Sequence, residues 1–337
     1  MHVMNAVLIR LGFGTVLGLL AGTAAYADAE WDKTIEAAKK EGNLVVYMAT
    51  TNPSVRRIGE AFEAHYGIRT LVQFMRPAEL REKLRTEQAA GRGVADVVLT
   101  GGTFKSTDPQ LLRKHAALPN ASKIKPPSKD DGTYIPTHFG LFGILMNTDL
   151  VKPEDEPKSW KDLLDPKWKG KMLSDDPRTQ GAGNGTFWVL HEALGLDYIK
   201  AMGQQGITYT REPSIAERRV AQGEYPLYLA FVVGGIARLG GLPVKAIVPV
   251  EGAPYNDGIA VLTAAGQNVN AGNLFLDFIL NDRSQDIMLE EGQVSVTGRP
   301  ADALPAGSKF MATAKLLNNA DPNKQAESLK LMGEWFK

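Results

Sequence analysis

An arginine followed by a glycine-rich turn is the stretch best suited to contact a ligand. Arg178 stands just before the run TQGAGNG, and from Thr186 onward apolar residues recur at helical spacing. Glycines let backbone N–H groups approach a ligand at the amino end of a helix, where the dipole attracts negative charge. A guanidinium adds a forked, charge-assisted pair to a carboxylate or phosphoryl group. The residues predicted to bind an anion here are Arg178, Thr179, Gln180, Gly181 and Asn184.

Arg178 could instead form an ion pair with neighbouring acidic residues and contact no ligand. Asp175 and Asp176 precede it and could neutralise it within a turn. An exposed ion pair of this kind contributes little to stability and does not explain the neighbouring glycines. We therefore favour ligand contact for Arg178, with the local pair as the alternative.

Small polar residues follow two runs of strand type, VVYMA and ADVVL. In open α/β sheets, ligands bind beyond the carboxyl ends of the strands, so both turns are expected to face one cleft. The same residue types are ordinary helix caps, and one residue can serve both purposes. The candidates are Thr50, Thr51, Asn52, Ser54, Thr100, Gly101 and Gly102.

Alternating strand and helix patterns predict the elements that position these residues. A helix over WDKTIEAAKKEG is followed by βα units, the third ending in a predicted helix over TDPQLLRKHAAL, which favours a parallel sheet. The long apolar run from Tyr134 to Val151 is predicted to form one or two strands crossing between lobes. It carries His138 and Phe139, which could hydrogen-bond to and stack on a ligand or simply fill the hinge. Tyr255 and Asn256, in GAPYNDG, mark the return crossing and have the same two interpretations.

Length, charge and the first residues limit the class of protein. The 337 residues favour two α/β domains, and equal numbers of basic and acidic residues, 38 each, argue against nucleic acid as a partner. Residues 1–27 read as a removed signal peptide, because Arg10 precedes an apolar run that ends in an A-x-A pattern. The chain has no cysteine and hence no site for a lipid anchor. We expect a soluble periplasmic protein.

Several motifs in order resemble one family. NLVVYMATT, GVADVVLTGG, GILMNTDLV, SWKDLLDPKWKGKM, SDDPRTQGAGNG, PVEGAPYNDGIAVL and LFLDFILNDRSQDIM are similar to the extracellular solute-binding proteins of bacterial ABC importers, in the group of ferric-iron, thiamine and organophosphate binders. The resemblance implies a type II two-lobed α/β fold with two hinge strands and a ligand cleft. It also implies delivery of the ligand to an inner-membrane permease, without chemistry, cofactor or metal, by a protein that we expect to be a monomer.

The resemblance also implies the residue ranges of the two lobes and a ligand-facing position for two residues. Residues 28–138 plus 255–305 form the predicted first lobe, and 139–254 plus 306–337 the second. Thr179 matches the serine or threonine that the family has in its ligand loop, and Phe231 falls where the family has a ligand-facing strand end.

The identity of the solute is open between several classes. Ferric-iron members carry adjacent tyrosines where this chain has Val232 and Val233, which offer no oxygen ligands. Thiamine members share a stretch like DPRT, but a cationic ring calls for an aromatic clamp and a carboxylate that the sequence does not place. Hydroxyls, backbone donors and Arg178 favour a small organic anion, either a carboxylate or a phosphate or phosphonate ester. Iron and thiamine stay as alternatives.

Two other classes of protein compete with an importer receptor. An exported hydrolase is unsupported, because no G-x-S-x-G or H-E-x-x-H motif is present and His65, His115, His138 and His191 have no ligand spacing. A sensor subunit would have the same fold and cleft, so the sequence does not separate it from a transport receptor.

Overall fold

The fold is built on one mixed sheet, seen in a computed structural model that describes residues 16–49, 53–102, 104, 108–300, 302, 304 and 306–337. The strands are β1 Asn43–Met48, β2 Arg69–Phe74, β3 Val97–Gly101, β4 Leu112–Arg113, β5 Tyr134–Asn147, β6 Met172–Asp175, β7 Thr208–Thr210, β8 Leu227–Val232, β9 Val244–Ile247, β10 Ala253–Thr263, β11 Val294–Ser295 and β12 Leu316–Asn319. The α-helices are α1 Val16–Glu41, α2 Ser54–Tyr66, α3 Pro77–Ala89, α4 Ala182–Leu194, α5 Leu196–Gly203, α6 Pro213–Ala221, α7 Val269–Ile279, α8 Asp282–Glu290 and α9 Gln325–Trp335.

The strand order divides the sheet into two halves. The main path runs β2-β1-β3-β10-β5-β8-β6-β7, while β4 and β12 pair with β10, and β9 and β11 pair with β5. The outer strands on each side are parallel, as the βα pattern predicts, whereas β10 and β5 run antiparallel to each other and to their neighbours β3 and β8. The mixed α/β class predicted from the sequence is confirmed.

Strand β5 passes from one half of the sheet to the other. Its residues Tyr134 to Leu141 pair with β10, and its residues Phe142 to Asn147 pair with β8 and β9. The long apolar run therefore forms a single crossing strand whose partners change between Leu141 and Phe142. Strand β10 is the second central strand, paired with β5 on one side and with β3 on the other. The residue ranges of the two lobes stay a prediction.

One predicted helix is not formed. In place of a helix over TDPQLLRKHAAL, residues 109–111 make a single 3₁₀ turn and Leu112–Arg113 adds a short strand to β10. Buried Asp108 is held by ion pairs to Arg81 and Arg85 of α3. These tertiary contacts override the local helical pattern, because they hold this segment in extended pairing.

The amino-terminal helix bears on the predicted export signal. Residues 1–15 lie outside the described residues, and Val16–Glu41 forms α1, which ends at Gly42 in a left-handed conformation (φ +71°) just before β1. Among the helices in the described ranges, none combines the length and apolar character needed to cross a membrane. Cleavage after residue 27 stays a prediction.

The apolar core is continuous beneath the crossing strands. Its largest cluster extends from Leu44 and Phe62 through Leu141 to Tyr228 and Phe231. A separate cluster around Trp160 and Phe187 includes Ile144 of β5 and Leu229 of β8. Because the main cluster spans both halves of the sheet, buried apolar area stabilises their junction as well as each half.

Two glycines make a close backbone contact between segments from the two predicted lobes. Gly234 lies in the 3₁₀ segment Val233–Leu239 after β8, and Gly292 follows the end of α8 with φ +75°. A Cβ atom at Gly234 would overlap the carbonyl oxygen of Gly292, and a Cβ at Gly292 would lie 2.5 Å from the carbonyl oxygen of Gly234. Only residues without a side chain permit this approach.

We expect Gly234→Ala to push these two segments apart. Overpacking of this kind costs about 1–3 kcal/mol, so the free energy of unfolding in urea should fall by that amount and the radius of gyration in solution scattering should rise. The matched control is Gly240→Ala, because its new Cβ would lie 3.8 Å from the nearest atom, the carbonyl oxygen of Ala237. Equal stability of the two variants would contradict this prediction.

Candidate functional site

The register of the central strands brings residues from distant parts of the chain into one row. Gly258 of β10 pairs with Gly101 of β3 on one side and with His138 of β5 on the other. Ser295 of β11 pairs with His138 from the far side of β5. Four segments that are separate in the sequence therefore meet at the level where β3 ends.

A cavity of about 420 Å³ opens at this row, and we call it the central cavity. Its size lies within the range of small-molecule sites in proteins. It is lined by Ala49, Val55, Phe74, Leu99, Thr100, Gly101, Thr137, His138, Asn256, Asp257, Gly258 and Ile259.

Four of the residues predicted from the sequence line the central cavity. They are Thr100, Gly101, His138 and Asn256. Gly102 lies next to them, and its N–H donates to the carbonyl oxygen of Asp257. Thr50, Thr51 and Asn52 lie outside the described residues, although Ala49, just before them, lines the cavity.

His138 is held neutral within the crossing strand. Its Nδ1 lies 2.9 Å from Thr137 Oγ1, and its ring lies against Gly258, where any Cβ would overlap it. Burial lowers the pKa of His138 to about 4. A neutral imidazole has one donor and one acceptor nitrogen, so this residue can hydrogen-bond to a solute without adding charge.

Eight of the twelve lining residues were not selected from the sequence, and three of them, Thr137, Asp257 and Phe74, have side chains suited to contact a solute. Thr137 and Asp257 adjoin residues that were selected, and Phe74, whose side chain is half exposed, is the last residue of β2. β2 runs parallel to β1, so its carboxyl end faces the same edge of the sheet. The rule applied to β1 and β3 would have found Phe74 had it been applied to β2.

Arg178 is engaged in the local ion pair that was its alternative role. Its Nε and Nη2 donate to the two carboxylate oxygens of Asp176 at 2.9 and 3.0 Å, and its guanidinium lies 4.6 Å from the ring centre of Tyr209. The hydrogen bonds from Arg178 lower the pKa of Asp176.

Arg178 is not among the residues that line the central cavity. Its side chain is 38% exposed, and its Nη1 donates to no group in the described part of the chain. Anion binding by Arg178 stays a prediction.

The amino end of α4 also has an internal carboxylate. Asp175 Oδ2 accepts a hydrogen bond from the Gly183 N–H at 2.6 Å, and burial raises the pKa of Asp175. Thr179 Oγ1 donates to the carbonyl oxygen of Asp176, while Gln180 and Gly181 are exposed. The helix dipole and the arginine that suggested an anion site thus each have a partner within the protein.

Three predicted contact residues are corrected by the structure. Asn184 is buried, and its amide donates to Pro177 and accepts from Gln325 and Ser328. Ser54 is buried and donates to Gln293, and the fully buried ring of Phe231 packs in the core. These side chains have almost no exposed surface for a ligand, because they are packed in the core or hydrogen-bonded to other parts of the chain.

Phe139 and Tyr255 lie at a second, smaller cavity of about 90 Å³, which we call the side chamber. Their rings meet edge to face with centres 5.1 Å apart. Asp257 lines both the side chamber and the central cavity. The two predicted aromatic residues are therefore close to the site but separated from the central cavity by Asp257.

The buried histidine predicts a pH dependence of stability. The unfolded chain binds a proton to His138 near its ordinary pKa of about 6.5, whereas the folded chain does so only near pH 4. His138 should therefore make the free energy of unfolding fall as the pH drops from about 6.5 to 4. Denaturation at several pH values should show a weaker fall for His138→Gln. The exposed His65→Gln serves as the control and should follow the parent; identical curves for all three proteins would count against this assignment.

Comparison with known proteins places the chain in a family. Residues 92–323 match the model of the bacterial extracellular solute-binding protein family. An uncharacterised protein of Haemophilus influenzae is 28% identical over 76% of this chain and 78% of its own length, and the thiamine-binding periplasmic protein of Salmonella typhimurium is 25% identical over 84% and 87%.

Solved structures agree on the fold. The periplasmic binding protein AfuA from Actinobacillus pleuropneumoniae, with fructose-6-phosphate bound, has a TM-score of 0.65 and 24% identity over 87% of this chain and 97% of AfuA. Iron-bound HitA from Pseudomonas aeruginosa has a TM-score of 0.70 and 20% identity over 87% and 98%. Their two-lobed architecture is that of the present fold, and the chain belongs to the bacterial extracellular solute-binding protein family.

Proposed function

We propose that this periplasmic solute-binding protein captures a small organic anion, a carboxylate or a phosphate or phosphonate ester, for an ABC permease. The observation that carries the proposal is the convergence around the central cavity of His138 and Asn256, on the two crossing strands, and Thr100, on β3. A hydroxyl, an imidazole and an amide can all donate to the oxygens of an anion.

Arg178 supplies the charged contact in this proposal. Asp176 holds two of its nitrogens and Tyr209 stacks on its plane, so the guanidinium is oriented before a ligand arrives. Its Nη1 is then the donor for the ligand's anionic group. Because Asp176 offsets part of the charge, affinity rests on hydrogen bonds in the cavity as much as on Coulomb attraction. AfuA, a relative in fold, was solved with a sugar phosphate bound.

Closure of the lobes follows from contacts made on both sides of one solute. Thr51 and Thr100 contact it from the first lobe and Arg178 from the second, so the ligand favours the closed form by its additional contacts there. The permease then receives the closed, loaded protein. No bond of the solute is made or broken.

Thiamine or a similar organic cation is the second candidate. The half-exposed ring of Phe74 and the carboxylate of Asp257 line the same cavity, and together they supply an aromatic face and a negative group for a cationic ring. Curated relatives from Salmonella and Brucella are thiamine-binding proteins. Ferric iron has less support, because Val232 and Val233 stand where the ferric-iron members carry adjacent tyrosines and offer no oxygen ligands.

The arginine variant tests the proposed anion. Native mass spectrometry of the purified protein identifies the retained solute, and calorimetric titrations of the apoprotein use it alongside fructose-6-phosphate and thiamine. Arg178→Ala should weaken binding of the anionic solute by about 2 kcal/mol, or about 30-fold in Kd, because the lost pair is partly exposed.

Arg219→Ala is the matched control. Arg219 pairs with Glu224 through Nε and Nη2 and stacks 4.7 Å from the ring centre of Tyr225, as Arg178 does on Asp176 and Tyr209. Loss of either arginine should change stability similarly, but only Arg178→Ala should change affinity. A retained cationic solute, or equal affinity of parent and Arg178→Ala, would refute the anion assignment. Recovery of a chemically altered solute after incubation would instead indicate an enzyme.

A further inference from the structure

The side chamber has the composition of a binding subsite. Its walls are the rings of Tyr134, Phe139 and Tyr255, with Pro136 between the first two along β5. Burial, and then the negative charge of Asp257, raise the pKa of Tyr255, so its phenol keeps its proton at neutral pH. The chamber therefore combines uncharged aromatic faces with polar groups from Ser128, Lys129 and Asp257.

One polar atom in this wall lacks the partner that a buried group normally has. Ser128 lines the chamber, and its Oγ is buried without a hydrogen bond to any group in the described part of the chain. A buried hydroxyl left without a partner is costly, and such exceptions in native proteins often mark a site for a water molecule or a ligand. The loop that carries Ser128 is fixed by its N–H, which donates to the carbonyl oxygen of Lys125.

Charge and volume limit what the chamber can accept. Asp257 and the exposed Lys129 both line it, so the two charges at its boundary oppose each other. A volume of about 90 Å³ is about three times the 30 Å³ that one water molecule occupies in the liquid. It suits a neutral group of about three or four non-hydrogen atoms.

The shared residue connects the chamber to the ligand site. Asp257 lines both cavities, and its neighbours Asn256 and Gly258 line the central one. In the inference drawn below, a solute held in the central cavity extends past Asp257 toward the side chamber, alongside the touching rings of Phe139 and Tyr255. Phe139 is buried against Tyr255, and the half-buried Tyr255 ring offers the aromatic surface for contact with an alkyl chain.

We propose that the side chamber is a specificity subsite for the neutral end of the solute, a short alkyl chain ending in a hydroxyl or amide that hydrogen-bonds to Ser128 Oγ. This inference rests on the proposed function, because it requires the anionic end of the same molecule to occupy the central cavity. The solute is then an organic anion with a neutral polar tail.

The first experiment compares pairs of probes that differ only at the tail. Linear carboxylates of three to seven carbons and their ω-hydroxy counterparts are titrated into the apoprotein by calorimetry. At one or more chain lengths the hydroxy acid should bind about tenfold more tightly, the effect of one buried hydrogen bond. Ser128→Ala should bring the ratio close to one, whereas Ser122→Ala, at an exposed serine of the preceding 3₁₀ turn, should leave it unchanged. No preference in the parent, or a preference that survives in Ser128→Ala, overturns the subsite.

A second experiment tests the chamber independently of the anion. The chain has no cysteine, so Ser128→Cys introduces a single thiol. Methyl methanethiosulfonate should label it, while 5,5′-dithiobis(2-nitrobenzoate) should react at least about tenfold more slowly than it does with Ser122→Cys, because its aromatic group exceeds the chamber. Equal reaction of both variants with both reagents overturns the subsite. If the size discrimination holds and neither these carboxylates nor fructose-6-phosphate bind, the anion proposal fails and the chamber stands.

Discussion

Backbone hydrogen bonds between β5 and β10 hold the binding region together. The two strands pair from Tyr134 to Leu141 and from Tyr255 to Val261, and each then joins a different set of neighbours. Every residue of the central cavity lies on these strands, on β3 beside them, or at the adjoining ends of β1, β2 and α2. A change in this register would move the row formed by Gly101, Gly258 and His138 and disassemble the site.

The same strands leave little room for side chains where they pass one another. Gly140 faces the amide of Asn256, and Gly258 faces the ring of His138, at distances that exclude any Cβ atom. These glycines make room for the side chains of Asn256 and His138 at the crossing. The crossing therefore serves both as the connection between lobes and as the floor of the cavity.

Internal carboxylates determine the electrostatics of the second lobe. Asp175 occupies the amino end of α4, and Asp176 holds Arg178 in a forked pair. Such pairs orient their positive partners while reducing the charge available to a ligand. In the proposed function, the predicted second lobe therefore recognises its ligand by directed hydrogen bonds, and the neutral His138 on the crossing strand fits the same mode of recognition.

The sequence by itself determined the features that depend on residues close to one another along the chain. The alternation of strands and helices, the single long crossing run and the ordered family motifs sufficed for the two-lobed α/β fold and for membership of the solute-binding family. They also selected four residues that line the central cavity: Thr100 and Gly101, because the carboxyl ends of parallel strands meet at one edge of a sheet, and His138 and Asn256, because they lie on the predicted crossing strands. Ligand binding by these residues stays a prediction.

Tertiary structure alone decided which polar and aromatic groups remain available. Nothing local distinguishes Asn184, Ser54 or Phe231 from exposed neighbours, yet partners more than a hundred residues away bury the first two, and the core buries the third. The segment after Asp108 became a strand because β10 and α3 offered it partners. Burial and hydrogen-bond satisfaction are properties of contacts between distant residues, and therefore only the folded chain assigns them.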